Sequence, residues 1–246
     1  MVTWFQKKRF LADYLEGLVD IHNHILPGID DGAKTVDESL ELIKAFDDLG
    51  IHHFIATPHI LPTLYPNTPE SILSAHEKLM EVLLEQRMTD VSILPAAEHM
   101  IDDSFEDLIN QNGIMPIKGS YILVEMSYLQ PSLNFDEAIV QISERGLTPI
   151  LAHPERYMYL HQTPGKYQEY KQKGILFQLN MLSLGPYYGK DVQKKAHQLL
   201  EAGMIDFIGT DTHSLKHLSA IRELQIKEKE ADRLLPVLNR TIDTFL

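Results

Sequence analysis

Short β-rich apolar runs alternate with longer segments of helical periodicity along most of the chain. The runs are Leu18–Ile21, His53–Thr57, Val91–Pro95, Tyr121–Val124, Thr148–Ala152, Ile175–Leu179 and Asp206–Gly209. The helical segments between them are Val36–Leu49, Pro69–Arg87, Phe105–Asn110, Phe135–Arg145, Lys166–Lys173 and Asp191–Ala202. Several of these segments stop at a glycine, which the left-handed cap of a helix favours. The alternation predicts seven βα units.

Parallel strands joined by helices form either an open doubly wound sheet or a closed barrel. A chain of 246 residues has room for one barrel or for two smaller domains, and we favour one barrel of the α/β class. We assign residues 18–246 to it and residues 1–17 to an N-terminal extension. The extension carries Lys7, Lys8 and Arg9 among apolar residues. This pattern predicts a short amphipathic helix packed on the domain, with a weak membrane-surface contact as the alternative.

Polar side chains that can bind a metal follow the predicted strands. Both possible folds place the active site at the carboxyl ends of their strands, so these side chains are expected to meet. In chain order they are His22, His24, His59, Glu98, Glu125, His153, Asp211 and His213, with Asn180 following the sixth strand. Asp30 and Asp31, in the loop after His24, add one further candidate, and the spacing favours Asp31.

This set predicts a centre with two or three metal ions, because nine ligands are too many for one ion. Imidazole and carboxylate ligands suit Mn²⁺, Fe or Zn²⁺, and the chain has no thiolate that would favour zinc. The other histidines lack partner ligands in the sequence. We expect His52, His76, His99, His161 and His197 to be ordinary surface or boundary residues.

Composition excludes several classes of function. A formal net charge of −13 disfavours binding to nucleic-acid phosphates. The absence of cysteine excludes a cysteine nucleophile and fits a reducing cytoplasm. No apolar run approaches the roughly 20 residues that span a bilayer.

A centre of this kind suits hydrolysis of phosphate esters, since bound divalent ions activate water and neutralise phosphoryl charge. Arg156 stands three residues after His153, where its guanidinium can hold a phosphate. The alternative for Arg156 is a surface ion pair with Glu155. We expect Arg156, Asp31, His59 and His213 to act in catalysis, and Asn180 to contact the substrate.

The motifs resemble a known superfamily, the polymerase-and-histidinol-phosphatase (PHP) proteins. The matching segments, in order, are DIHNHILPGIDDG, IATPHI, AAEHM, LVEMS, LAHPERY, QLN and GTDTHS. The HILPGIDDG and AHPERY segments make the chain more similar to the bacterial tyrosine-protein phosphatases of capsular and exopolysaccharide operons, the CpsB/CapC/YwqE family. The resemblance runs from about Gly17 to the last helix.

The resemblance implies a distorted (β/α)₇ TIM-like barrel with three divalent metal ions, usually manganese or iron. It implies a first ion bound by His22, His24, Glu98 and Asp211, and a second bound by Asp31, His59 and His213. The third would take Glu125, His153 and a share of Glu98, and Arg156 would bind phosphate. The implied substrate is the tyrosine-rich tail of a cytoplasmic kinase that regulates polysaccharide export.

The sequence departs from some relatives after its last motif. Those relatives carry asparagine at the position of Ser214 and a second arginine shortly beyond. Lys216 or His217 is the candidate substitute for that arginine, and a solvated start of a helix is the alternative. Two other functions stay open: a PHP phosphatase for a small metabolite such as histidinol phosphate, and a metal-stabilised scaffold without turnover.

Overall fold

The computed structural model describes residues 8–246. Seven parallel strand lines form the centre of the fold, where a strand line means one strand or two successive strands separated by a short break. The lines are β2 (Val19–Asp20), β3 and β4 (His53–Ala56 and His59–Ile60), β5 and β6 (Ser92–Pro95 and Glu98–Met100), β7 (Tyr121–Glu125), β8 (Thr148–Ala152), β9 (Leu176–Asn180) and β10 (Phe207–Gly209). The second and third lines are each broken by two residues. The hydrogen bonds from Ala96 N to Ala56 O (2.9 Å) and from Glu98 N to Pro58 O (3.1 Å) continue the pairing across these breaks.

The strands pair in the order of the chain. β2, β3 and β5 form one sheet, and β4, β6, β7, β8, β9 and β10 form the other. The first and last lines meet at their carboxyl ends through a parallel bridge between Asn23 and Thr212. Backbone hydrogen bonds from Asp211 N to His22 O (2.7 Å) and from His24 N to Thr212 O (3.0 Å) flank this bridge. The predicted α/β fold of seven units around one distorted barrel is therefore confirmed.

Helices follow nearly every strand line. They are α1 (Val36–Asp47), α2 (Pro69–Glu85), α3 (Phe105–Asn110), α4 (Phe135–Glu144), α5 (Met158–His161), α6 (Gly165–Gln172), α7 (Lys190–Glu201), α8 (Leu215–Glu223) and α9 (Glu228–Phe245). α1 begins where Thr35 Oγ1 accepts the N–H of Glu38 (3.2 Å), a typical N-cap. The six predicted helical segments correspond to α1, α2, α3, α4, α6 and α7.

The segment before the barrel differs from its prediction. Residues 1–7 of the predicted helical extension lie outside the described part of the chain. Lys8–Phe10 is a strand, β1, which pairs antiparallel with β11 (Gln225–Lys227), and a 3₁₀ helix follows at Leu11–Tyr14. The predicted amphipathic helix is therefore wrong for residues 8–17, because pairing with a strand more than 200 residues away leaves no local signal in the sequence.

Successive residues along each strand point alternately into two hydrophobic cores. A smaller cluster contains Val19, Ile21, Ile55, Leu123, Ile150 and Phe207, with Phe245 of α9 packed against it. The larger cluster contains the intervening residues, such as Phe54, Val124, Leu151 and Phe177, together with the apolar faces of the helices. This period of two is that of a barrel-like sheet with a filled inner face and an outer helical layer. Among residues 8–246, no helix combines the length and apolar composition needed to cross a bilayer.

Candidate metal centre

All nine predicted ligands lie at the carboxyl ends of the strand lines, around one space. His22, His24 and Glu98 are fully buried there, and Glu125, His153 and Asp211 are nearly so. His59 and His213 are partly buried, and Asp31 is the most open of the set, with 48% of its side chain exposed. The barrel geometry predicted this meeting of strand ends.

Glu98 occupies the middle of the centre. Its Oε2 lies 3.2 Å from His22 Nε2 and 3.1 Å from His59 Nδ1, and its Oε1 lies 3.2 Å from His153 Nε2. Burial alone would raise the pKa of the Glu98 carboxyl, but the charges of the His22 and His59 imidazoles hold that pKa well below its usual value. The carboxylate is therefore ionised, buried and surrounded by imidazole nitrogens.

The ligand atoms form four overlapping groups, in each of which the atoms lie within 4.8 Å of one another. The groups are His24–Asp31–His59–His213, His22–His24–Asp211, His22–Glu98–His153 and His59–Glu98–Glu125. These groups resemble the three implied ligand sets but are not identical to them, because His24 also approaches the Asp31 group and His59 also approaches Glu125. Ions held by such shared ligands would be close neighbours.

Several candidate ligand atoms lack a hydrogen-bond partner among the described residues, and this bears on whether the site suits metal ions. His22 Nε2, His24 Nε2, His59 Nδ1 and both carboxylate oxygens of Glu98 are buried and make no hydrogen bond among the described residues. Buried polar atoms are normally hydrogen-bonded, since an unsatisfied one costs about 1–3 kcal/mol. Converging imidazole and carboxylate lone pairs are the donor set that divalent transition metals take. The residues fit such ions.

The outer nitrogens of the first two histidines are fixed by neighbours. His22 Nδ1 lies 2.8 Å from Gln178 Oε1, and His24 Nδ1 lies 2.7 Å from Asp30 Oδ2. Such partners set the tautomer of a metal-binding histidine and leave its Nε2 free for the ion. Sequence reasoning missed Gln178, although its position two residues before Asn180 places both side chains on the same face of β9.

The two adjacent aspartates have different surroundings. Asp30 is buried, and besides His24 its carboxylate accepts the N–H groups of Gly32 (2.9 Å) and His59 (3.2 Å). Asp31 Oδ1 lies 3.4 Å from His59 Nε2 and 3.4 Å from His213 Nε2. Asp31 thus has the position of a ligand, and Asp30 supports His24 from behind.

Gly32 completes this loop. A Cβ atom at Gly32 would lie 2.0 Å from the carbonyl oxygen of His24. The loop therefore requires glycine immediately after the two aspartates, because any side chain would push it away from the histidine.

Two candidate ligands have an unusual backbone. His153 and Asp211 have positive φ angles of 37° and 53°. Residues other than glycine seldom adopt this conformation, and it is concentrated at functional sites. His153 comes directly after β8 and Asp211 two residues after β10, so the chain turns there while both side chains stay in the centre.

Arg156 lies beside the centre. Its Nη1 donates to Asp211 Oδ2 at 2.6 Å, and its Cζ lies 4.7 Å from the ring centre of Tyr128 and 4.2 Å from that of Tyr188. Two aromatic faces thus hold the guanidinium. The alternative of a surface ion pair with Glu155 is wrong. The Glu155 side chain is fully buried and accepts the N–H of Asn180 at 3.0 Å, and burial raises the pKa of its carboxyl to about 7.

The two carboxylate oxygens of Asp211 therefore have different partners. Oδ1 faces His22 Nε2 and His24 Nε2, both at 3.4 Å. Oδ2 accepts from Arg156 and, at 3.0 Å, from Asn180 Nδ2. Asn180, expected to contact the substrate, is fully buried and holds this carboxylate instead.

The two candidate substitutes for a second arginine differ in position. His217 Nδ1 lies 3.2 Å from the N–H of His213 and 3.2 Å from the carbonyl oxygen of Asp211, so it is tied to the loop that carries these ligands. Lys216 is exposed and lines a cavity of about 340 Å³ together with His213, Glu38 and Glu41. Of the two, Lys216 is the exposed cation next to His213, and its Nζ lies 5.9 Å from the ring centre of Tyr187.

His99 is not the surface or boundary residue that the sequence predicted. It is fully buried, and its ring lies 2.9 Å from Leu123 O at Nδ1 and accepts the N–H of Met115 at Nε2 (3.0 Å). Burial lowers the pKa of His99 to about 4, so the ring is neutral. The other four histidines of that prediction are partly exposed.

A barrel of seven βα units with buried histidines and carboxylates converging at its carboxyl edge defines a candidate multi-metal hydrolase. A family profile described as "Capsular polysaccharide synthesis, CpsB/CapC" matches residues 18–228, and the chain belongs to this family.

Curated proteins and one solved structure are similar over most of their length. Tyrosine-protein phosphatase YwqE of Bacillus subtilis is 29% identical over 224 residues, which cover 90% of this chain and 88% of that protein. Tyrosine-protein phosphatase CpsB of Streptococcus agalactiae is 27% identical over 204 residues, which cover 80% and 84%. A crystal structure from a study of YwqE and of Streptococcus pneumoniae CpsB, "unique metal-dependent tyrosine phosphatases", superposes with a TM-score of 0.81. It is 26% identical and covers 93% of this chain and 94% of the matched one.

Proposed function

We propose that this protein is a metal-dependent phosphomonoester hydrolase that acts on protein phosphotyrosine. The observation that carries the proposal is the set of unpartnered lone pairs of His22, His24, His59 and Glu98, which converge beside Arg156. Its cysteine-free composition excludes a cysteine nucleophile for the activity in the names of its relatives, and the converging ligands supply metal-assisted hydrolysis instead.

The proposed cofactor is a set of three divalent ions, Mn²⁺ or Fe in preference to Zn²⁺. Nine oxygen and nitrogen ligands without thiolate suit these metals. When bound, such ions lower the pKa of a bound water toward neutrality and neutralise phosphoryl charge.

The protein's own groups then position the substrate. Arg156 uses one nitrogen on Asp211, so its remaining N–H groups are available to the phosphoryl oxygens that gain charge as the ester bond breaks. Asn180 keeps Asp211 in place, and Gln178 and Asp30 keep His22 and His24 oriented. Lys216 is the candidate for a second contact to phosphate.

Phosphotyrosine suits this arrangement because its leaving group is a phenol. A phenol has a pKa of about 10 and departs far more easily than an alkoxide, so the site needs little help from a general acid. The proposed physiological target is the tyrosine-rich tail of a cytoplasmic kinase that regulates polysaccharide export, which would place this protein in the cytoplasm.

Removal and return of metal test the proposal. Dialysis against a strong chelator should abolish hydrolysis of p-nitrophenyl phosphate and of a phosphotyrosine peptide, and Mn²⁺ should restore both activities. Histidinol phosphate serves as the comparison substrate and should be turned over far more slowly than the peptide. Full activity in stringently metal-free protein would contradict the metal dependence, and faster turnover of histidinol phosphate would make the metabolite the better substrate.

A further inference from the structure

A groove of about 360 Å³ lies beside the candidate metal centre, at the same edge of the barrel. Its walls are the last residue of β6 with the β6–α3 loop (residues 100–104) and the β7–α4 loop (residues 127–134), with Pro62 and Thr63 of the β4–α2 loop also lining it. We call it the side groove.

The side groove adjoins the strands that carry Glu98 and Glu125. Met100, which lines it, is the ladder partner of the candidate ligand Glu125, and Ile101 N donates to Glu125 O at 2.9 Å. Ser127, on the other wall, comes two residues after Glu125. The groove therefore begins on the residues that directly follow or pair with the strand end of Glu125.

The two walls are tied together. Ser132 Oγ donates to Ile101 O at 2.5 Å, and Asn134 Nδ2 donates to Asp102 O at 2.6 Å. Ser104 N and Oγ donate to Asp102 Oδ1. Because these bonds fix both loops, the groove is formed before any ligand arrives, which reduces the ordering cost of binding.

The surface of the groove combines apolar and acidic character. Leu133 lines it and is 96% exposed, Leu129 of the same loop is 92% exposed, and Leu64 beyond Thr63 is 68% exposed. Leucines this exposed on the loops around one groove are a feature of binding surfaces. Asp102 and Asp103 supply negative charge, no basic residue lines the groove, and Asp103 has no ion-pair partner among residues 8–246.

We propose that the side groove binds the residues that flank the phosphotyrosine of a protein substrate, and that it favours basic and apolar residues there. The inference rests on the proposed phosphotyrosine hydrolysis. The apolar rim takes apolar side chains of the segment, and Asp103 attracts its cations.

The charge part of the proposal is tested with two phosphotyrosine peptides that differ only in carrying lysine or glutamate on both sides of the phosphotyrosine. At low ionic strength the wild type should favour the lysine peptide in kcat/KM by about 1.5- to fivefold, the range expected for an exposed charge pair. Asp103→Lys should abolish or reverse this preference while hydrolysis of p-nitrophenyl phosphate stays unchanged. Asp232→Lys, an equal change of charge on the exposed face of α9, is the matched control and should keep the preference.

The apolar part is tested with Leu133→Ser. This variant should raise KM for both peptides about fivefold, because each buried apolar side chain contributes to binding. Leu84→Ser is the matched control, since Leu84 is 73% exposed on α2. Equal peptide kinetics in the wild type, Asp103→Lys and Leu133→Ser would overturn the proposal.

Binding separates this proposal from the proposed function. The dissociation constants of the same two peptides, made with a non-hydrolysable phosphonate in place of the phosphate, are measured by fluorescence anisotropy and do not require turnover. A lysine preference in binding supports the side groove even if hydrolysis is absent, whereas hydrolysis without any preference overturns the side groove alone. If Leu133→Ser instead dissociates an oligomer in sedimentation and leaves peptide binding unchanged, the groove is a contact between copies of this chain and the proposal is wrong.

Discussion

Replacing Arg156 with alanine removes a guanidinium that lies between two aromatic rings and next to a candidate ligand. One charge-assisted hydrogen bond to a phosphoryl oxygen contributes roughly 1.5–3 kcal/mol. Each 1.36 kcal/mol changes a rate about tenfold. Arg156→Ala should therefore lower kcat/KM for a phosphotyrosine peptide by about 10- to 150-fold.

Metal content should survive this change. Arg156 contacts Oδ2 of Asp211, whereas the oxygen that faces His22 and His24 is Oδ1. Asn180 Nδ2 still holds Oδ2 at 3.0 Å when Arg156 is absent. Arg156→Lys should recover only part of the rate, because an ammonium keeps the charge but loses the planar fork and the stacking on Tyr128 and Tyr188.

Steady-state kinetics and elemental analysis of the same preparations test whether Arg156 binds phosphate. The expected result is a large loss of kcat/KM in Arg156→Ala, a smaller loss in Arg156→Lys and an unchanged number of ions in both. Unchanged kcat/KM in the alanine variant would refute the assignment of Arg156 to phosphate. A loss of ions that parallels the loss of rate would instead make Arg156 a support of Asp211.

Two further predictions concern the adjacent aspartates Asp30 and Asp31, and the buried His99. Asp31→Ala should remove a ligand and lower the number of bound ions. Asp30→Asn should keep that number but weaken metal affinity by about 10- to 100-fold, because His24 loses its anionic partner. Competition with a chelator measures both effects, and the opposite pattern would make Asp30 the ligand. His99→Leu should leave the backbone groups of Met115 and Leu123 without their hydrogen-bond partner, and each should lower the free energy of unfolding by about 1–3 kcal/mol. Metal stoichiometry should stay unchanged. Urea unfolding measures the effect, and an undiminished urea midpoint would contradict the prediction.

The sequence predicts the centre well because the relevant pattern is local. Each βα unit has its own alternation of apolar residues, and the residue after each strand can be identified without knowledge of the rest of the chain. Once a barrel is assumed, its geometry brings those residues together. This is how His59, Glu125 and His153 could be expected to approach Glu98, as they do.

Features that depend on distant partners could not be predicted. The pairing of β1 with β11 joins two ends of the chain that carry no matching signal. The burial of His99 depends on how the loop at Met115 folds over it, and the role of Asn180 depends on the rotamer of Asp211. The Tyr128 and Tyr188 rings reach Arg156 from two separate loops, so no spacing in the sequence relates them.

The join between the first and last strand lines has a consequence for how the protein is made. Thr210 donates through its N–H and its hydroxyl to Asp20, although the two residues stand 190 positions apart. Asp211 and His213, which complete the surroundings of His22 and His24, emerge from the ribosome about 190 residues after those two histidines. A nascent chain therefore cannot assemble the full ligand set, and the protein should acquire its ions only after synthesis of the last strand has closed the barrel.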